Sequence, residues 1–139
     1  MQWAHEHHLR SKPPSILVID DEPGVRNVTK SFLEENGYIA RLAASGAEGL
    51  ALIENEVIDL ILLDLQMPEM NGAEFLVRLR KTGRNIPVII VTAYPDSDLM
   101  LEALRYGPLS LLAKPCRREV LRLAVRAALM GARNANYAV

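Results

Sequence analysis

The sequence predicts an α/β fold, a single doubly wound domain with a five-stranded parallel sheet flanked by five helices. Four short apolar runs of strand-like composition alternate with segments of helical period, and a charged or hydroxyl residue follows each run. The runs are residues 16–19 before Asp20 and Asp21, residues 60–63 before Asp64, residues 88–91 before Thr92, and residues 111–113 before Lys114. Strands that alternate with helices in this way are typical of parallel sheets with right-handed crossovers.

The order of these strand ends also predicts where functional groups lie. In a doubly wound sheet the carboxyl ends of the strands meet at one edge, where ligands bind. Three carboxylates, one hydroxyl and one ammonium group are therefore expected to converge at that edge.

The first helix and the remaining strand follow directly after the acidic pair. Residues 23–36 are predicted to be helical, because Pro23 favours a first turn and Gly37 is suited to end a helix in the left-handed conformation. Residues 38–43 alternate between apolar and polar positions, which predicts a short strand.

Capping patterns predict where the second and third helices begin. Ser45 and Glu48 have the spacing of a capping box, and Asn71 with Glu74 is predicted to play related parts for the next helix. Each of these helices thus has its own start signal.

The last two helices are predicted from a cap and from periodicity. Asp96 is predicted to cap a fourth helix that runs through Tyr106 and stops at residues 107–108. Residues 117–130 are predicted to form the fifth helix. Its apolar positions at four-residue spacing are Leu121, Val125 and Leu129.

Composition and length bound the organisation of the chain. The 139 residues are 50% hydrophobic and 24% charged, which fits one globular domain. We assign residues 15–130 to this domain and residues 1–14 and 131–139 to polar tails. A single cysteine, Cys116, excludes an internal disulfide, and no apolar stretch approaches the ~20 residues of a membrane span. We therefore expect a soluble, cytoplasmic protein.

The charge of the chain argues against two classes of partner. A formal net charge of -1 does not favour bulk electrostatic capture of nucleic acid or of a membrane surface. We expect no direct nucleic acid binding by this domain and no membrane binding.

The residue types at the strand ends indicate phosphoryl chemistry. Three adjacent carboxylates repel one another unless a cation lies between them, and Mg²⁺ prefers oxygen ligands of this kind. With Asp20 and Asp21 as part of a magnesium site, Asp64 is expected to act as a nucleophile toward phosphorus. Lys114 and Thr92 are expected to contact the phosphoryl oxygens.

Four motifs in this order resemble the receiver domain of bacterial two-component response regulators, a phosphoacceptor domain with the flavodoxin-like fold. The motifs are VIDDEP at residues 18–23, LLDLQMPEMNG at 62–72, VTA at 91–93 and KP at 114–115. The resemblance covers about residues 15–130. It implies that a histidine kinase or a phosphotransfer protein donates a phosphoryl group to this domain, which would catalyse only its own phosphorylation and autodephosphorylation.

The resemblance assigns a role to each motif residue. Asp64 is the implied phosphoacceptor, Thr92 the switch hydroxyl and Lys114 the phosphoryl-binding ammonium. Asp21 is the implied direct Mg²⁺ ligand, and Asp20 is implied to act through water. The backbone carbonyl of Gln66 is an implied further metal ligand, Met67, Pro68 and Gly72 shape the following loop, and the peptide bond before Pro115 is usually cis.

Two positions depart from the common pattern of the family. Many receivers carry an aromatic residue three positions before the lysine, and this chain has Leu111 there. Tyr94, two residues after Thr92, is expected to border the phosphoryl pocket and, with Gln66, to influence the access of hydrolytic water.

Two other functional classes share parts of the pattern. A flavodoxin-like cofactor binder needs a phosphate cradle after the first strand, where Asp20, Asp21 and Glu22 would repel a phosphate. An aspartate-based phosphohydrolase needs an acid two residues after its nucleophile, where this chain has Gln66. A yellow colour on purification would favour the first class, and multiple turnover of a phosphomonoester the second.

The sequence beyond the predicted domain and the charges on its last two helices bear on the signalling partners. No effector domain follows Met130, so we expect either a stand-alone regulator or a receiver excised from a longer protein. Three acidic residues of the fourth helix and three arginines of the fifth are expected either to pair with each other within one molecule or to form a weak, salt-sensitive homodimer that sets acid against base across a two-fold axis. These residues are Asp96, Asp98 and Glu102 on one side and Arg118, Arg122 and Arg126 on the other.

Overall fold

Within residues 12–137, five strands and five helices alternate, which confirms the predicted fold class. The computed structural model describes residues 12–137, and for 132–137 only the backbone. The strands are β1 (Ser15–Ile19), β2 (Ile39–Ala43), β3 (Leu60–Leu63), β4 (Val88–Thr92) and β5 (Ser110–Ala113). The helices are α1 (Pro23–Glu35), α2 (Gly46–Asn55), α3 (Gly72–Lys81), α4 (Asp98–Ala103), which a 3₁₀ turn (Leu104–Tyr106) continues, and α5 (Arg118–Tyr137).

The strand order places two acidic strand ends side by side. All four strand pairings are parallel, and the order is β2-β1-β3-β4-β5. The chain moves outward from β1 to β2 and then returns to β3 on the other side of β1, which makes the gap between β1 and β3 the switch point of the sheet. Ile19 pairs with Leu63, so Asp20 and Asp64 leave the sheet as neighbours.

Apolar side chains cover both faces of the central strands, because helices pack on both sides of the sheet. On one face, Leu17 and Ile19 of β1 belong to a core that includes Phe75 and Leu79 of α3. On the other face, Ile16 and Val18 pack in a core with residues of α1 and α5. Its helical members include Phe32, Leu33, Val125 and Ala128.

Three predicted helix boundaries are confirmed by their local geometry. Gly37 follows α1 with a φ of 89°, the left-handed conformation that glycine adopts without steric cost. The Ser45 hydroxyl accepts a hydrogen bond from Glu48 N at 3.2 Å. Asn71 and Glu74 form a complete capping box at the start of α3.

Two other predicted boundaries were wrong. The residue that caps α4 is Ser97 and not Asp96, because the Ser97 hydroxyl accepts a hydrogen bond from Met100 N at 3.3 Å. Helix α5 does not end at Met130 but continues to Tyr137. Gly131 does not stop this helix, and no proline follows it in the sequence to exclude helical backbone.

Most of the predicted N-terminal tail lies outside the described residues, whereas residues 131–137 of the predicted C-terminal tail belong to α5. Of residues 1–14, only 12–14 are described, and residues 138–139 lie outside the described range. Within residues 12–137, no helix has both the length and the apolar character needed to cross a bilayer.

Gly72 allows the loop after β3 to approach its own strand end. A Cβ atom on Gly72 would stand 2.6 Å from the main-chain oxygen of Asp64 and 2.8 Å from Cα of Leu65. Since both neighbours are backbone atoms, a side chain here would displace the loop that carries Asp64. A Cβ atom on Gly24, which lies on α1, would meet no such neighbour within 4 Å.

We expect Gly72→Ala to lower the free energy of unfolding by about 1–3 kcal/mol, because overpacking against backbone forces the loop to shift. The matched control, Gly24→Ala, adds a methyl group in open space on a helix and should be neutral or stabilising by up to about 1 kcal/mol. Urea unfolding measures both variants. Equal stabilities of the two would contradict the close approach at Gly72.

Candidate functional site

Five side chains from four strand ends converge at the carboxyl edge of the sheet. They are Asp20 and Asp21 after β1, Asp64 after β3, Thr92 at the end of β4 and Lys114 after β5. One oxygen atom from each of the three carboxylates lies within 4.8 Å of the others. Asp20 is 3% exposed, Asp64 5% and Thr92 0%.

The Lys114 ammonium lies between the two buried carboxylates. Its Nζ is 2.7 Å from Oδ2 of Asp20 and 3.7 Å from Oδ2 of Asp64. Burial by itself would lower the pKa of Lys114, but the hydrogen bond to Asp20 and the charge of Asp64 outweigh it and raise that pKa. Lys114 is therefore a fixed cation at neutral pH.

Asp20 is held by hydrogen bonds at both ends of its carboxylate. Oδ2 accepts from Lys114, and Oδ1 accepts from the backbone N–H of Glu22 at 3.0 Å. The backbone N–H of Asp20 donates to the oxygen of Ala43 at 3.2 Å, and its carbonyl accepts from Arg26 Nη1 at 2.7 Å. In contrast, the Asp21 side chain has no hydrogen bond to any residue in the range 12–131.

The Asp64 carboxylate accepts fewer hydrogen bonds than that of Asp20, so its anionic form is stabilised less. The backbone N–H of Gln66 donates to its Oδ1 at 3.4 Å. The pKa of Asp64 is raised to about 6, mainly by burial; the charge of Lys114 lowers it, and the nearby charges of Asp20 and Asp21 raise it. An ionised Asp64 thus lies beside two negative charges, those of Asp20 and Asp21, and one positive charge, that of Lys114.

Thr92 presents a buried hydroxyl at the end of β4, the strand next to β3. Its Oγ1 accepts a hydrogen bond from Tyr94 N at 3.1 Å. A hydroxyl also carries one proton to donate, so Thr92 retains a donor for an oxygen atom placed in the site. The backbone N–H of Lys114 donates to the Thr92 carbonyl at 2.8 Å, which ties the ends of β4 and β5 together.

The loop after Asp64 folds back through main-chain contacts. The carbonyl of Leu65 accepts from Met67 N at 3.2 Å and from Gly72 N at 3.0 Å. Glu69 has a φ of 66°, a conformation uncommon for a residue with a side chain. The peptide bond between Lys114 and Pro115 is cis, as the resemblance implied.

The two departures from the family pattern lie near the surface. Leu111, on β5, is 38% exposed, and Tyr94 is 62% exposed. The side chain of Leu111 has no polar group, so it cannot form a hydrogen bond with the Thr92 hydroxyl.

The donor set of this site fits a magnesium ion. Three carboxylates face one ammonium group, so the described site carries excess negative charge. Mg²⁺ prefers oxygen donors and is usually held by one or two protein carboxylates with water and phosphate oxygens as the other ligands. The acidic cluster is therefore compatible with Mg²⁺.

Two contacts in the site could not be found from the sequence pattern. The backbone N–H of Glu22 binds Asp20, and the Arg26 guanidinium binds the Asp20 carbonyl. The only sequence signal for either is proximity, since Glu22 starts the turn and Arg26 lies in the first turns of α1.

The sequence matches the family model for the response regulator receiver domain over residues 16–126. Sporulation initiation phosphotransferase F of Bacillus subtilis is 38% identical over 111 residues, which cover 80% of this chain and 90% of that protein. Transcriptional regulatory protein GlrR of Escherichia coli is 36% identical over 121 residues, which cover 87% of this chain. The matched segment is 27% of that regulator, so the chain spans about a quarter of the first curated relatives.

Solved structures agree with this similarity. A CheY-like response regulator receiver domain protein from Methanospirillum hungatei superposes with a TM-score of 0.85 at 31% identity, covering 89% of this chain and 99% of that one. The receiver domain of the Francisella response regulator 1452 superposes with a TM-score of 0.78 at 34% identity, covering 86% and 98%.

Burial of Asp64 predicts a pH-dependent stability in the metal-free protein. A folded-state pKa of about 6 lies above the ordinary value of ~3.9, so the folded state holds its proton more tightly than the unfolded state. The free energy of unfolding should therefore fall as pH rises from about 4 to about 6, by on the order of 2 kcal/mol from this carboxyl. Urea unfolding in the presence of a chelator measures this dependence.

The matched variant for this measurement is Asp64→Asn, which cannot ionise. It should lack this part of the pH dependence. A difference in unfolding free energy between the two proteins that stays constant across the interval would contradict the raised pKa.

Proposed function

The chain belongs to the response regulator receiver domain family, and on this basis we propose that Asp64 accepts a phosphoryl group from a histidine kinase or a phosphotransfer protein. The observation that carries this proposal is the position of Asp64. Its buried carboxylate lies 3.7 Å from the Lys114 ammonium and beside the acidic pair Asp20 and Asp21. Within residues 12–131, no other carboxylate at a strand end is both close to Lys114 and held by a single long hydrogen bond, here the one from Gln66 N at 3.4 Å.

The reaction uses the Asp64 carboxylate as the nucleophile. One of its oxygen atoms forms a bond to phosphorus while the bond from phosphorus to the donor nitrogen breaks, and the imidazole of the donor histidine leaves with that electron pair. The Lys114 ammonium then contacts a phosphoryl oxygen, and the Thr92 hydroxyl donates to another. The Lys114 ammonium already lies 3.7 Å from Oδ2 of Asp64, so its charge is in place before the transfer.

Magnesium is the proposed cofactor. Bound Mg²⁺ neutralises charge on the phosphoryl oxygens during transfer. We propose Asp21, Asp64 and the backbone carbonyl of Gln66 as its direct ligands, with Asp20 acting through water. The hydrogen bonds support this division, because both oxygens of Asp20 already accept from Lys114 or Glu22, whereas the Asp21 carboxylate has no such partner in the described residues.

The catalytic activity is proposed to be confined to the domain's own phosphorylation and autodephosphorylation. Hydrolysis requires a water molecule beside the aspartyl phosphate. Gln66, half-buried two residues after Asp64, offers an amide there in place of a general acid. A signalling role, in which the phosphorylated state persists, fits this side chain better than rapid turnover of a substrate.

A groove beside the site is the proposed approach for the phosphodonor. It has a volume of about 740 Å³ and runs from Asp64 and Lys114 between α1 and the start of α5. Its apolar lining includes Val25, Val28, Phe32, Pro115 and Leu121. Val28 is 64% exposed, as expected for a residue that a partner covers.

Two arginines of the ionic face predicted on the fourth and fifth helices have partners within the chain. Arg122 pairs with Glu119 of its own helix, and Arg118 with Glu35 of α1 at 3.9 Å. Leucines of α4, of the 3₁₀ turn, of the segment before β5 and of α5 are also exposed. Their exposed fractions are 65% for Leu101, 56% for Leu104, 55% for Leu109 and 53% for Leu123. We propose that a weak homodimer or another protein partner makes its contacts mainly through these leucines.

Several broader statements stay predictions. The whole protein's output is a proposal at most, because the chain spans about a quarter of the first regulators that it matches. The absence of nucleic acid binding by this domain and a cytoplasmic location also stay predictions from the sequence.

The first test of this function is phosphorylation in vitro. Incubation with acetyl phosphate and Mg²⁺ should add one phosphoryl group to the wild-type chain, as measured by intact mass, and none to Asp64→Asn. Asp96→Asn, which removes an exposed carboxylate outside the site, is the matched control and should be labelled like the wild type. Equal labelling of Asp64→Asn would refute the assignment.

The second test separates the two acidic residues. Asp21→Asn should weaken Mg²⁺ binding more than Asp20→Asn, by about tenfold or more, because a direct ligand contributes more than one that acts through water. Calorimetric titration of the metal-free proteins measures both affinities. The reverse ranking would exchange the two roles.

A further inference from the structure

The Arg26 side chain forms its hydrogen bond with a backbone carbonyl and not with a neighbouring carboxylate. It lies at the end of the first turn of α1, near a cluster of three carboxylates, yet its Nη1 donates to the backbone carbonyl of Asp20 at 2.7 Å. Among the described residues it forms no ion pair. A guanidinium bound to a neutral carbonyl in this position leaves the carboxylate oxygens available to a cation.

The bonded carbonyl belongs to the peptide that joins Asp20 to Asp21. Asp20 is already fixed through its backbone N–H to Ala43 and through its carboxylate. The Arg26 hydrogen bond fixes the remaining side of the residue and so sets the plane of the peptide from which Asp21 extends. The Asp21 side chain has no hydrogen bond of its own in residues 12–131, so its position depends on this backbone.

We infer that Arg26 is a positioning residue for the magnesium site, which holds the Asp20–Asp21 turn in place through the Asp20 carbonyl. This inference rests on the proposed function, in which Asp21 is a direct metal ligand. A hydrogen bond from a charged donor is stronger and shorter than a neutral one, which suits it to hold a turn against the repulsion of adjacent carboxylates. Mutation of residues that orient metal ligands typically weakens metal affinity or activity by about 10- to 100-fold.

Positioning and simple electrostatics predict opposite results for the loss of Arg26. A cation near a Mg²⁺ site repels the metal, so removal of the charge alone should strengthen magnesium binding. Removal of a positioning contact should weaken it. The sign of the change in affinity therefore separates the two roles.

The test compares Arg26→Gln and Arg26→Lys with the wild type and with Lys30→Gln. Lys30 is an exposed cation one turn further along α1, and its replacement removes the same charge without touching the Asp20 carbonyl. Calorimetric titration with Mg²⁺ measures affinity, and urea unfolding of the metal-free proteins measures stability. Acetyl phosphate labelling at limiting and saturating Mg²⁺ measures the reaction.

We expect Arg26→Gln to bind Mg²⁺ about tenfold more weakly. Arg26→Lys should fall between it and the wild type, and Lys30→Gln should bind as tightly as the wild type or slightly more so. The labelling rate of Arg26→Gln should fall at limiting Mg²⁺ and recover at saturating Mg²⁺, a rescue that a general loss of stability would not give. If Arg26→Gln does not fold, the affinity of Arg26→Lys decides.

Two results would overturn the inference alone. They are an unchanged or increased Mg²⁺ affinity in the Arg26 variants, and a labelling defect that saturating Mg²⁺ does not relieve. A wild-type chain that neither binds Mg²⁺ nor accepts a phosphoryl group would instead refute the proposed function, and this inference with it.

Discussion

The shortage of positive charge at the carboxyl edge of the sheet governs the chemistry of this domain. Asp20 and Asp64 are buried there, and the structure offers them one shared ammonium, that of Lys114. Lys114 satisfies Asp20 more closely, and the pKa of Asp64 rises in consequence of its burial. The folded chain therefore holds a carboxylate whose ionised form a further cation would stabilise.

Much of this arrangement could be predicted from the sequence, because two strong constraints act together. Central strands of a parallel sheet are apolar on both faces, so residues 16–19 and 60–63 stand out as strands. Parallel strands end at one edge, so the polar residue after each run must lie there. Residue types then indicate the chemistry, and the site around Asp64 and Lys114 follows without knowledge of the helices.

Features that depend on competition between neighbours could not be predicted in this way. Asp96 and Ser97 are both good helix caps, and only the backbone geometry selects Ser97. The arginines of α5 have several acidic residues within reach along the sequence, and the fold pairs Arg122 with Glu119 and Arg118 with Glu35. The Arg26 contact is invisible in sequence for a similar reason, since its acceptor is a main-chain oxygen that every residue carries.

The edge strand β5 gives the ion pair of Lys114 a second consequence. β5 pairs with β4 alone, and three of its four residues are exposed, so few apolar contacts oppose its detachment. Local unfolding of such an edge would normally cost little free energy. Here it would also carry Lys114 away from Asp20 and leave two buried carboxylates to repel each other. The ion pair between Lys114 and Asp20 thus couples the detachment of the edge strand β5 to the electrostatics of the site.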